Sequence, residues 1–411
     1  MKLYTLDEVC DFQSGLWTGK KGPYKVVKVL RNTNFTKDNK LNLENIAEIK
    51  VEVKQFEKRV LEKGDILIEK SGGGPNQPVG RVVLIDKRAV DYSFSNFTSR
   101  IRVSSDDLNP NYLYWFLNYI YLSGKTENLQ RRSTGIRNLQ LKEYKQLVIP
   151  VPSLQEQEKI VERLDLLNKK IKIKRNITAK KIFNLELMIN SYMNKFFQHS
   201  NVIKNTELGN VIETLTDYHA NGSYKILKEN VELKDKKDYA WMVRSTDFEN
   251  NFRNKKKYIT KPAYDFLSKS KIIGGELLMS KIGNAGKIYL MPKIDTPASL
   301  AMNLFLIRFN ESILLNEYVY FFLSSHFGSH QIESRLKGAT TQTITKDSVR
   351  SITIPLIPIK EQIKIIDKIK SFQINIDFLN KNYVQKDKKL QNLQFSLLER
   401  VFNFDQIGKS A

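Results

Sequence analysis

One short junction occurs twice in the chain, as "IPVPSLQEQEKI" at residues 149–160 and as "IPLIPIKEQIKI" at residues 354–365. The Ile-Pro, Glu-Gln and Lys-Ile pairs fall in register at an offset that is half of the 411-residue chain. Prolines favour an extended segment just before a helix begins. In the first copy Ser153 stands three residues before Glu156, which is the spacing of a capping box. The sequence therefore predicts a strand that passes into a helix at both places.

The similarity between the two halves extends upstream of the junction. Three further pairs of segments recur in the same order: "GDILIEK" (64–70) and "GELLMSK" (275–281), "VGRVVLI" (79–85) and "AGKIYLM" (285–291), and "NPNYLYWFLN" (109–118) and "LNEYVYFFLS" (315–324). Each half thus predicts a strand, a glycine-rich loop, a second strand, an aromatic helix, a short strand and a long helix. Asn109 and Asn316 are the expected N-caps of the aromatic helices. A tandem duplication of one module accounts for this order.

A seam of apolar residues at alternating spacings of three and four follows each junction, which is typical of a coiled coil. About 45 residues at 1.5 Å each make a helix of roughly 65–70 Å. Because one amphipathic helix cannot bury its own seam, we expect the two copies to pair antiparallel about an approximate two-fold axis. Five basic residues are expected on the solvated outer face: Lys169, Lys170, Lys172, Lys174 and Arg175. The predicted seam consists of Ile160, Leu164, Leu167, Ile171, Ile182, Leu185, Ile189, Tyr192 and Phe196, and then of Ile365, Ile369, Phe372, Ile376, Leu379, Tyr383, Leu390, Leu393 and Leu397.

The predicted fold class is mixed α/β (α+β), with a pseudo-two-fold tandem repeat. Two globular domains alternate with two long helices that pair as an antiparallel coiled coil. The expected boundaries are residues 1–152 and 201–357 for the globular domains, and 153–200 and 358–411 for the helices.

This order resembles the specificity subunit of type I restriction–modification systems. The resemblance covers essentially the whole chain and rests on the doubled "IP…EQ…I" junction followed by heptads. It implies that each globular part is a target-recognition domain that reads half of a split site in double-stranded DNA. The helices would act as a spacer and as the docking surface for two methyltransferase subunits, which use S-adenosylmethionine. Restriction subunits driven by ATP and magnesium would join them.

The composition supports a polyanionic partner. The net charge is +23 and the pI is near 9.7, and Lys and Arg gain affinity for nucleic acid by releasing phosphate counterions. A chain rich in Lys, Asn and Ile is also what an AT-biased genome produces. One cysteine, Cys10, excludes an internal disulfide framework. The N-terminus lacks a signal-peptide core, and the longest apolar stretch is too short for a membrane span, so we expect a cytoplasmic protein without a membrane partner.

Motifs for catalysis are weak, so we expect no catalytic, cofactor-binding or metal-binding residue in this chain. "NPNY" at 109–112 resembles the Asn-Pro-Pro-Tyr motif of adenine-N6 methyltransferases, but no glycine-rich cofactor loop precedes it. His326 and His330 lack an apparent third metal ligand. Asp38, Glu48 and Lys50 loosely fit a nuclease site, which leaves a stand-alone restriction nuclease as one alternative. A coiled-coil adaptor without a role on DNA is the other.

Two sets of residues are the candidates for DNA contact. The first set flanks or lies in the glycine-rich loops, which differ in length between the halves although the neighbouring strands match, as expected when two copies read different sequences. We expect Asn76, Gln77 and Asn284 to pair with adenine edges, and the basic residues Lys70, Arg81, Lys281 and Lys287 to hold phosphates or reach guanine. The alternative for this set is a plain hairpin.

The second set precedes each Ile-Pro junction. It consists of Arg131, Arg132 and Arg137 in the first half, and of Arg335, Lys337 and Gln342 in the second. Basic groups beside small residues suit phosphate contact, and a solvated loop is the competing interpretation.

Overall fold

The computed structural model describes the chain except residues 18, 20, 37, 75–76, 87–88, 134–135, 199–203 and 404–411, together with the side chains of 132 and 133. The chain divides into two compact units. Unit 1 comprises Met1–Ala179 and Val384–Ala411, and unit 2 comprises Lys180–Tyr383. Each unit therefore contains the whole of one predicted recognition domain and part of each long helix, so the boundaries of the two units differ from those of the four predicted segments.

The first half of the chain forms the following strands and helices in order. The strands are β1 (Lys2–Thr5), β2 (Cys10–Ser14), β3 (Tyr24–Leu30), β4 (Ala47–Glu52), β5 (Ile66–Glu69), β6 (Ser71–Gly73), β7 (Val82–Leu84), β8 (Ser93–Phe94), β9 (Thr98–Val103), β10 (Gln130–Ser133), β11 (Ile136–Leu139) and β12 (Val148–Val151). The helices are α1 (Leu6–Val9), α2 (Val53–Glu57), α3 (Pro110–Leu122), α4 (Leu141–Tyr144) and the long α5 (Leu154–Gln198).

The second half continues with a similar series. The strands are β13 (Lys204–Glu207), β14 (Ile212–Asp217), β15 (Ala240–Val243), β16 (Lys257–Ile259), β17 (Lys271–Ile272), β18 (Leu277–Ser280), β19 (Ile288–Leu290), β20 (Ala298–Leu300), β21 (Leu304–Phe309) and β22 (Thr353–Leu356). The helices are α6 (Tyr224–Asn230), α7 (Ser245–Glu249), α8 (Lys261–Phe266), α9 (Asn316–Ser324), α10 (His326–Glu333), α11 (Lys346–Arg350) and the long α12 (Ile359–Phe402).

The two units repeat one sheet topology. An antiparallel sheet has the order β2-β9-β5-β7 in unit 1 and β14-β21-β18-β19 in unit 2. A second sheet places β3 antiparallel to β4 and parallel to β8, and likewise β15 antiparallel to β16 and parallel to β20. The strand before each long helix, β12 or β22, pairs antiparallel with β1 or β13. The predicted mixed α/β fold with a tandem repeat is confirmed.

An aromatic helix covers the antiparallel sheet in each unit, because its apolar residues recur on one face. Tyr112 and Phe116 of α3 are buried with the β5 residues Ile66 and Ile68 in the core of unit 1. The predicted cap is confirmed here, since the Asn109 side chain accepts hydrogen bonds from the backbone N–H groups of the first helical turn. In unit 2 the cap was assigned wrongly. Leu315 is the N-cap of α9, and the neighbouring Asn316 is already helical and bonds to Glu311.

The Glu-Gln part of the first junction forms a clasp inside unit 1. Gln157 is fully buried, and its side-chain nitrogen donates to the carbonyl oxygens of Asp107 at 2.7 Å and Pro152 at 2.9 Å. Its side-chain oxygen accepts from the backbone N–H of Asn109 at 2.8 Å. One side chain thus joins the start of α5 to the start of α3. The capping box between Ser153 and Glu156 is also present, as predicted.

Unit 2 contains the same clasp. Gln362 is fully buried and donates to the carbonyl oxygens of Ile313 and Ile357, each at 2.9 Å, while it accepts from the Leu315 N–H at 2.9 Å. Glutamine suits this position because its amide both donates and accepts. The junction repeats in the sequence because the aromatic helix is joined to the long helix in the same way twice.

We expect Gln157→Ala or Gln362→Ala to lower the free energy of unfolding by about 2–4 kcal/mol, because each change leaves buried backbone groups without their partners. Urea unfolding monitored by circular dichroism measures this loss. The exposed neighbour Gln155→Ala is the control and should cost less than about 0.5 kcal/mol. Equal, small effects from all three substitutions would contradict a stabilising role for the two buried glutamines.

The long helices pair antiparallel within unit 1, and polar residues occupy part of the seam. The guanidinium of Arg175 contacts both carboxylate oxygens of Asp387, at 2.8 and 3.3 Å, and Asn168 accepts from Gln394 at 2.9 Å. Arg175 was expected on the solvated face, but it is half-buried in the seam. Leu393 was expected in the seam and is 47% exposed, because the seam passes through its neighbour Gln394. Polar pairs of this kind fix the register of a helix pair.

Unit 2 shows the same antiparallel direction. Tyr192 of α5 stacks on Phe372 of α12 with ring centroids 4.1 Å apart, and Lys181 lies over the ring of Tyr383 at 5.5 Å. Leu379, another residue of the predicted seam, is 40% exposed. Within the described residues, none of the helices combines the length and apolarity needed to cross a membrane.

Candidate nucleic-acid interface

The two candidate clusters of unit 1 meet in one small sheet. The glycine-rich strand β6 pairs with β11, which pairs with β10, so that Arg137 lies opposite Gly73 and Asn138 lies opposite both Ser71 and Arg131. The hydroxyl of Ser71 bonds to the Asn138 side chain at 2.6 Å. Segments about 60 residues apart in sequence therefore form a single surface of basic, amide and glycine residues.

Unit 2 repeats this arrangement in a shorter form. Single β-bridges join Ile282 of the glycine loop to Thr343, and Thr343 to Lys337. The same backbone contact closes both sheets, since Leu139 N–H donates to Lys70 at 2.8 Å and Ile344 N–H donates to Lys281 at 3.1 Å. These backbone contacts form a frame that is common to both units, while the loops that the frame carries differ in length and sequence.

Several predicted contact residues are exposed on these surfaces. They are Gln77 and Arg131 in unit 1, and Asn284, Lys287, Lys337 and Gln342 in unit 2. Arg131 donates to Gln140 at 2.6 Å, which extends its guanidinium along the sheet. These side chains are placed where a nucleic acid could reach them, and their role in DNA contact stays a prediction.

Three predicted contact residues are instead held inside the fold. The guanidinium of Arg81 donates twice to buried Glu69, at 2.7 and 3.1 Å, and the residue is 9% exposed. The Lys281 side chain is 12% exposed and pairs with Asp217 at 2.7 Å. Arg335 is half-buried and bonds to two backbone carbonyl oxygens and to the Ser351 hydroxyl.

We therefore correct the roles predicted for these three cations. Moving Arg81 or Lys281 away would leave a buried carboxylate without its counter-ion, which is strongly unfavourable. Moving Arg335 would leave two backbone carbonyl oxygens without their donor. Arg81, Lys281 and Arg335 stabilise their own unit, and DNA contact is not the role that their geometry supports.

The remaining candidates differ in what can be described. Lys70 and Arg137 are half-buried, and Arg137 lies 3.9 Å from Glu127. Asn76 and the side chain of Arg132 lie outside the described residues.

Sequence reasoning missed a repeated turn beside each small sheet. The segments "RNTNF" (31–35) and "RSTDF" (244–248) both begin with an arginine whose backbone N–H donates to the side chain three residues later, at 3.0 Å in Asn34 and 2.9 Å in Asp247. In unit 1 the turn bonds to β6 through Asn32, which contacts the Ser71 carbonyl at 3.4 Å. The shared spacing of arginine, threonine and phenylalanine was the signal that could have revealed it.

In unit 2 this turn brings Glu249 to the glycine loop. Its carboxylate accepts from the Asn284 amide at 2.8 Å and from the Tyr289 hydroxyl at 3.1 Å, and the Lys287 amine lies 3.9 Å away. The contact uses one N–H of Asn284, whose amide has a second N–H and a carbonyl oxygen. Amide and carboxylate groups are the ones that read adenine and cytosine edges in the major groove. Glu249, beside the predicted Asn284 and Lys287, is therefore a candidate for base contact that the sequence alone did not single out.

The candidate catalytic constellations have ordinary structural roles. Asp38 forms an ion pair with Lys172 at 2.9 Å, while Glu48 and Lys50 lie on β4. "NPNY" is the capped start of α3. Across the part of the chain that the structure describes, no group of three or more His, Cys, Asp or Glu residues is arranged to hold a metal ion.

Comparison with known proteins agrees with this organisation. The family model described as the type I restriction modification DNA specificity domain matches residues 1–180 and again 202–385. The MjaVIII type I restriction enzyme specificity subunit of Methanocaldococcus jannaschii is 23% identical over 301 residues, which are 67% of this chain and 68% of that protein.

Two solved structures share the fold. A chain from a study of the complex assembly and conformational transition of the type I R-M system aligns with a TM-score of 0.74 at 16% identity, over 97% of this chain and 96% of that chain. The HsdS subunit of Thermoanaerobacter tengcongensis aligns with a TM-score of 0.53 at 16% identity, over 98% and 96%. The family matches span most of the chain and fall once in each half. The chain therefore belongs to the type I restriction–modification DNA specificity family and carries two copies of the domain that defines it.

Proposed function

We propose that each unit reads one half of a bipartite site in double-stranded DNA, and that the chain supplies sequence recognition to a larger restriction–modification assembly. Membership of a specificity family makes the chain a DNA-recognition subunit without catalysis, and it removes the stand-alone nuclease as an alternative. The observation that carries the proposal is that the small sheet of unit 1 and the equivalent β-bridges of unit 2 share one backbone frame and carry different loops. A reader of two different half-sites needs this combination of constant frame and varied loop.

The long helices offer surfaces for two methyltransferase subunits. In unit 1 the α5 residues Leu166, Ile173 and Ile177 are at least half exposed, and in unit 2 the α12 residues Ile374 and Phe378 are about two-thirds exposed. Ile173 and Phe378 are 205 residues apart, so they occupy equivalent positions of the repeat. Exposed apolar stripes mark sites of protein association. Equivalent stripes in the two units support one methyltransferase subunit on each.

The partners would supply the chemistry. Methyl transfer would use S-adenosylmethionine in the methyltransferase subunits, and cleavage would use ATP and magnesium in restriction subunits. This chain would contribute the choice of sequence and the positions at which the partners dock.

The test is DNA binding by the purified chain, alone and with its methyltransferase subunit, over a series of salt concentrations. We expect the chain alone to bind weakly with little sequence preference and a steep salt dependence, and the complex to gain sequence preference. Arg131→Gln and Lys337→Gln should each reduce the slope of log affinity against log salt by about 1. Methyl transfer or DNA cleavage by the pure chain would contradict the proposal.

A further inference from the structure

Ser14 and Asp217 occupy the same position in the two units. Ser14 is the last residue of β2 and pairs with Ser99, and Asp217 is the last residue of β14 and pairs with Phe305. Each partner is the second residue of its strand, and β9 and β21 are equivalent inner strands of the two sheets. The one position therefore holds a neutral hydroxyl in unit 1 and a carboxylate in unit 2.

The lysine that faces this position is also equivalent. Lys70 follows β5 and donates its backbone N–H to Phe97 at 2.9 Å, while Lys281 follows β18 and donates to Asn303 at 2.8 Å. Each lysine carbonyl in turn accepts from the strand of the small basic sheet, as described above. The backbone thus places the two lysines identically, and differences between them come from their surroundings.

In unit 2 the carboxylate neutralises the lysine. Asp217 accepts from Lys281 at 2.7 Å and from Lys346 at 3.2 Å, and its side chain is 13% exposed. Burial acts to raise the pKa of the Asp217 carboxyl, but hydrogen bonds and charge from the two lysines outweigh it and hold that pKa below its usual value. Two cations and one anion therefore form a closed cluster at the edge of the basic sheet.

In unit 1 the Lys70 amine stands at this place without the anion, and Arg59 binds the backbone of the same residue, Ser14. The Lys70 amine lies 3.5 Å from the Ser14 hydroxyl. The guanidinium of Arg59 donates to the Ser14 carbonyl at 2.8 Å and to the side-chain and backbone oxygens of Gln55 at 2.7 and 3.1 Å. The Lys70 and Arg59 side chains are half-buried, and this loss of solvent lowers the pKa of each. No carboxylate of the described residues forms an ion pair with either one.

We infer that Lys70, with Arg59 nearby on the Ser14 backbone, binds a phosphate group of the DNA backbone at the position that the Asp217 carboxylate fills in unit 2. This inference rests on the proposed function, because it names the DNA group that one edge of the proposed interface receives. A phosphate oxygen and a carboxylate oxygen are equivalent acceptors for lysine and arginine. Unit 1 then makes a phosphate contact that unit 2 replaces with a contact inside the protein, so the two units differ in affinity for the DNA backbone as well as in base preference.

The experiment exchanges the two residues in the full-length chain. Ser14→Asp should close the cluster of unit 1 as in unit 2, and Asp217→Ser should open the cluster of unit 2. Lys63→Gln is the matched control for Ser14→Asp, because both changes lower the net charge by one. Lys63 is exposed and precedes β5, whereas Lys70 follows that strand. Ser14→Ala is the control for loss of the hydroxyl alone.

The measured quantity is the affinity for duplex DNA at salt concentrations from about 50 to 200 mM. Ser14→Asp should reduce the salt slope by about 0.9 and the affinity by about three- to tenfold, and Asp217→Ser should increase both. Ser14→Ala and Lys63→Gln should leave the slope within error of the wild type. Urea unfolding of each variant establishes that it is folded.

A second arm distinguishes DNA phosphate from free phosphate. Inorganic phosphate at millimolar concentration should raise the unfolding midpoint of the wild type by less than 1 °C, because a single phosphate lacks the neighbouring contacts that DNA provides. A larger rise that Ser14→Asp abolishes would instead assign the site to a free anion and overturn the inference.

If Ser14→Asp and Lys63→Gln have equal effects on DNA affinity, the inference fails while the proposed function stands. If the wild type and its methyltransferase complex fail to bind DNA at any salt concentration, both fail.

Discussion

A fragment that ends after the central helix, residues 1–198, is expected to form a dimer and to select an inverted repeat in DNA. Without α12 the fragment exposes the buried seam residues Val161, Leu164 and Ile171. It also leaves open the pocket that Phe402 fills, where this ring packs against Tyr112 and Phe116 with centroid separations of 5.4 and 5.7 Å.

A second copy of the fragment carries a residue that fits this pocket. Phe197 is 205 residues before Phe402, and in unit 2 it packs against Tyr318 and Phe322 with centroid separations of 5.6 and 5.3 Å. The two aromatic pockets are therefore equivalent, so Phe197 of one copy can replace Phe402 in the other. A two-fold dimer then contains two copies of unit 1, and its preferred site has two identical half-sites in inverted order.

Light scattering after size exclusion measures the mass of the fragment, and sequencing of bound random DNA gives its site. Phe197→Ala should weaken the dimer by about 3 kcal/mol at each of two pockets, or about 10⁴-fold in total. The matched control is Phe183→Ala, which removes an exposed ring from the same helix. A monomeric fragment would contradict the role of the seam, and a dimer that keeps an asymmetric site would contradict the modular interpretation.

Lengthening both long helices is expected to lengthen the unread gap in the DNA site. Seven residues inserted between Ala179 and Lys180, with seven more between Tyr383 and Val384, leave every contact inside each unit intact because these are the points at which the units divide. A whole heptad also keeps the seam in phase. It adds about 10 Å of helix, which corresponds to roughly three base pairs.

Because DNA is twisted, the number of inserted heptads should change the affinity as well as the gap. Three base pairs rotate one half-site by roughly a third of a turn, so the best site for the one-heptad protein should bind more weakly than the wild-type pair. Three heptads add about nine base pairs, nearly one turn, and affinity should recover at the longer gap. Competition between sites of different spacing measures both effects.

A four-residue insertion in each helix is the control, because it shifts the seam and should weaken pairing of the helices. A folded seven-residue variant that still prefers the original gap would show that helix length does not set the spacing.

The sequence was sufficient for those features that leave a local or periodic pattern. The duplicated junction, the Asn109 cap and the long helices were predicted because prolines, capping residues and heptads act over a few residues. The seam was predicted only where it is apolar. Arg175 and Asp387 occupy it as a pair, and neither residue alone has the pattern of a core position.

Charged candidates were harder to assign, because their roles depend on partners that are distant in sequence. The ion pair of Arg81 with Glu69 joins residues 12 apart, and that of Lys281 with Asp217 joins residues 64 apart. Before folding these cations are indistinguishable from exposed ones such as Lys337. Glu249 was missed for the same reason, since its contact with Asn284 exists only after the turn and the glycine loop come together.

The most direct test of the central claim is the DNA site of the chain in complex with its methyltransferase subunits, read by sequencing bound random DNA for the wild type and for Asn284→Ala. The wild type should select two short segments separated by a fixed unread gap. Asn284→Ala should relax base preference in one segment and leave the other segment and the gap unchanged, because Asn284 lies on the loop of unit 2 alone. A single continuous site for the wild type, or loss of preference in both segments for the variant, would contradict the account.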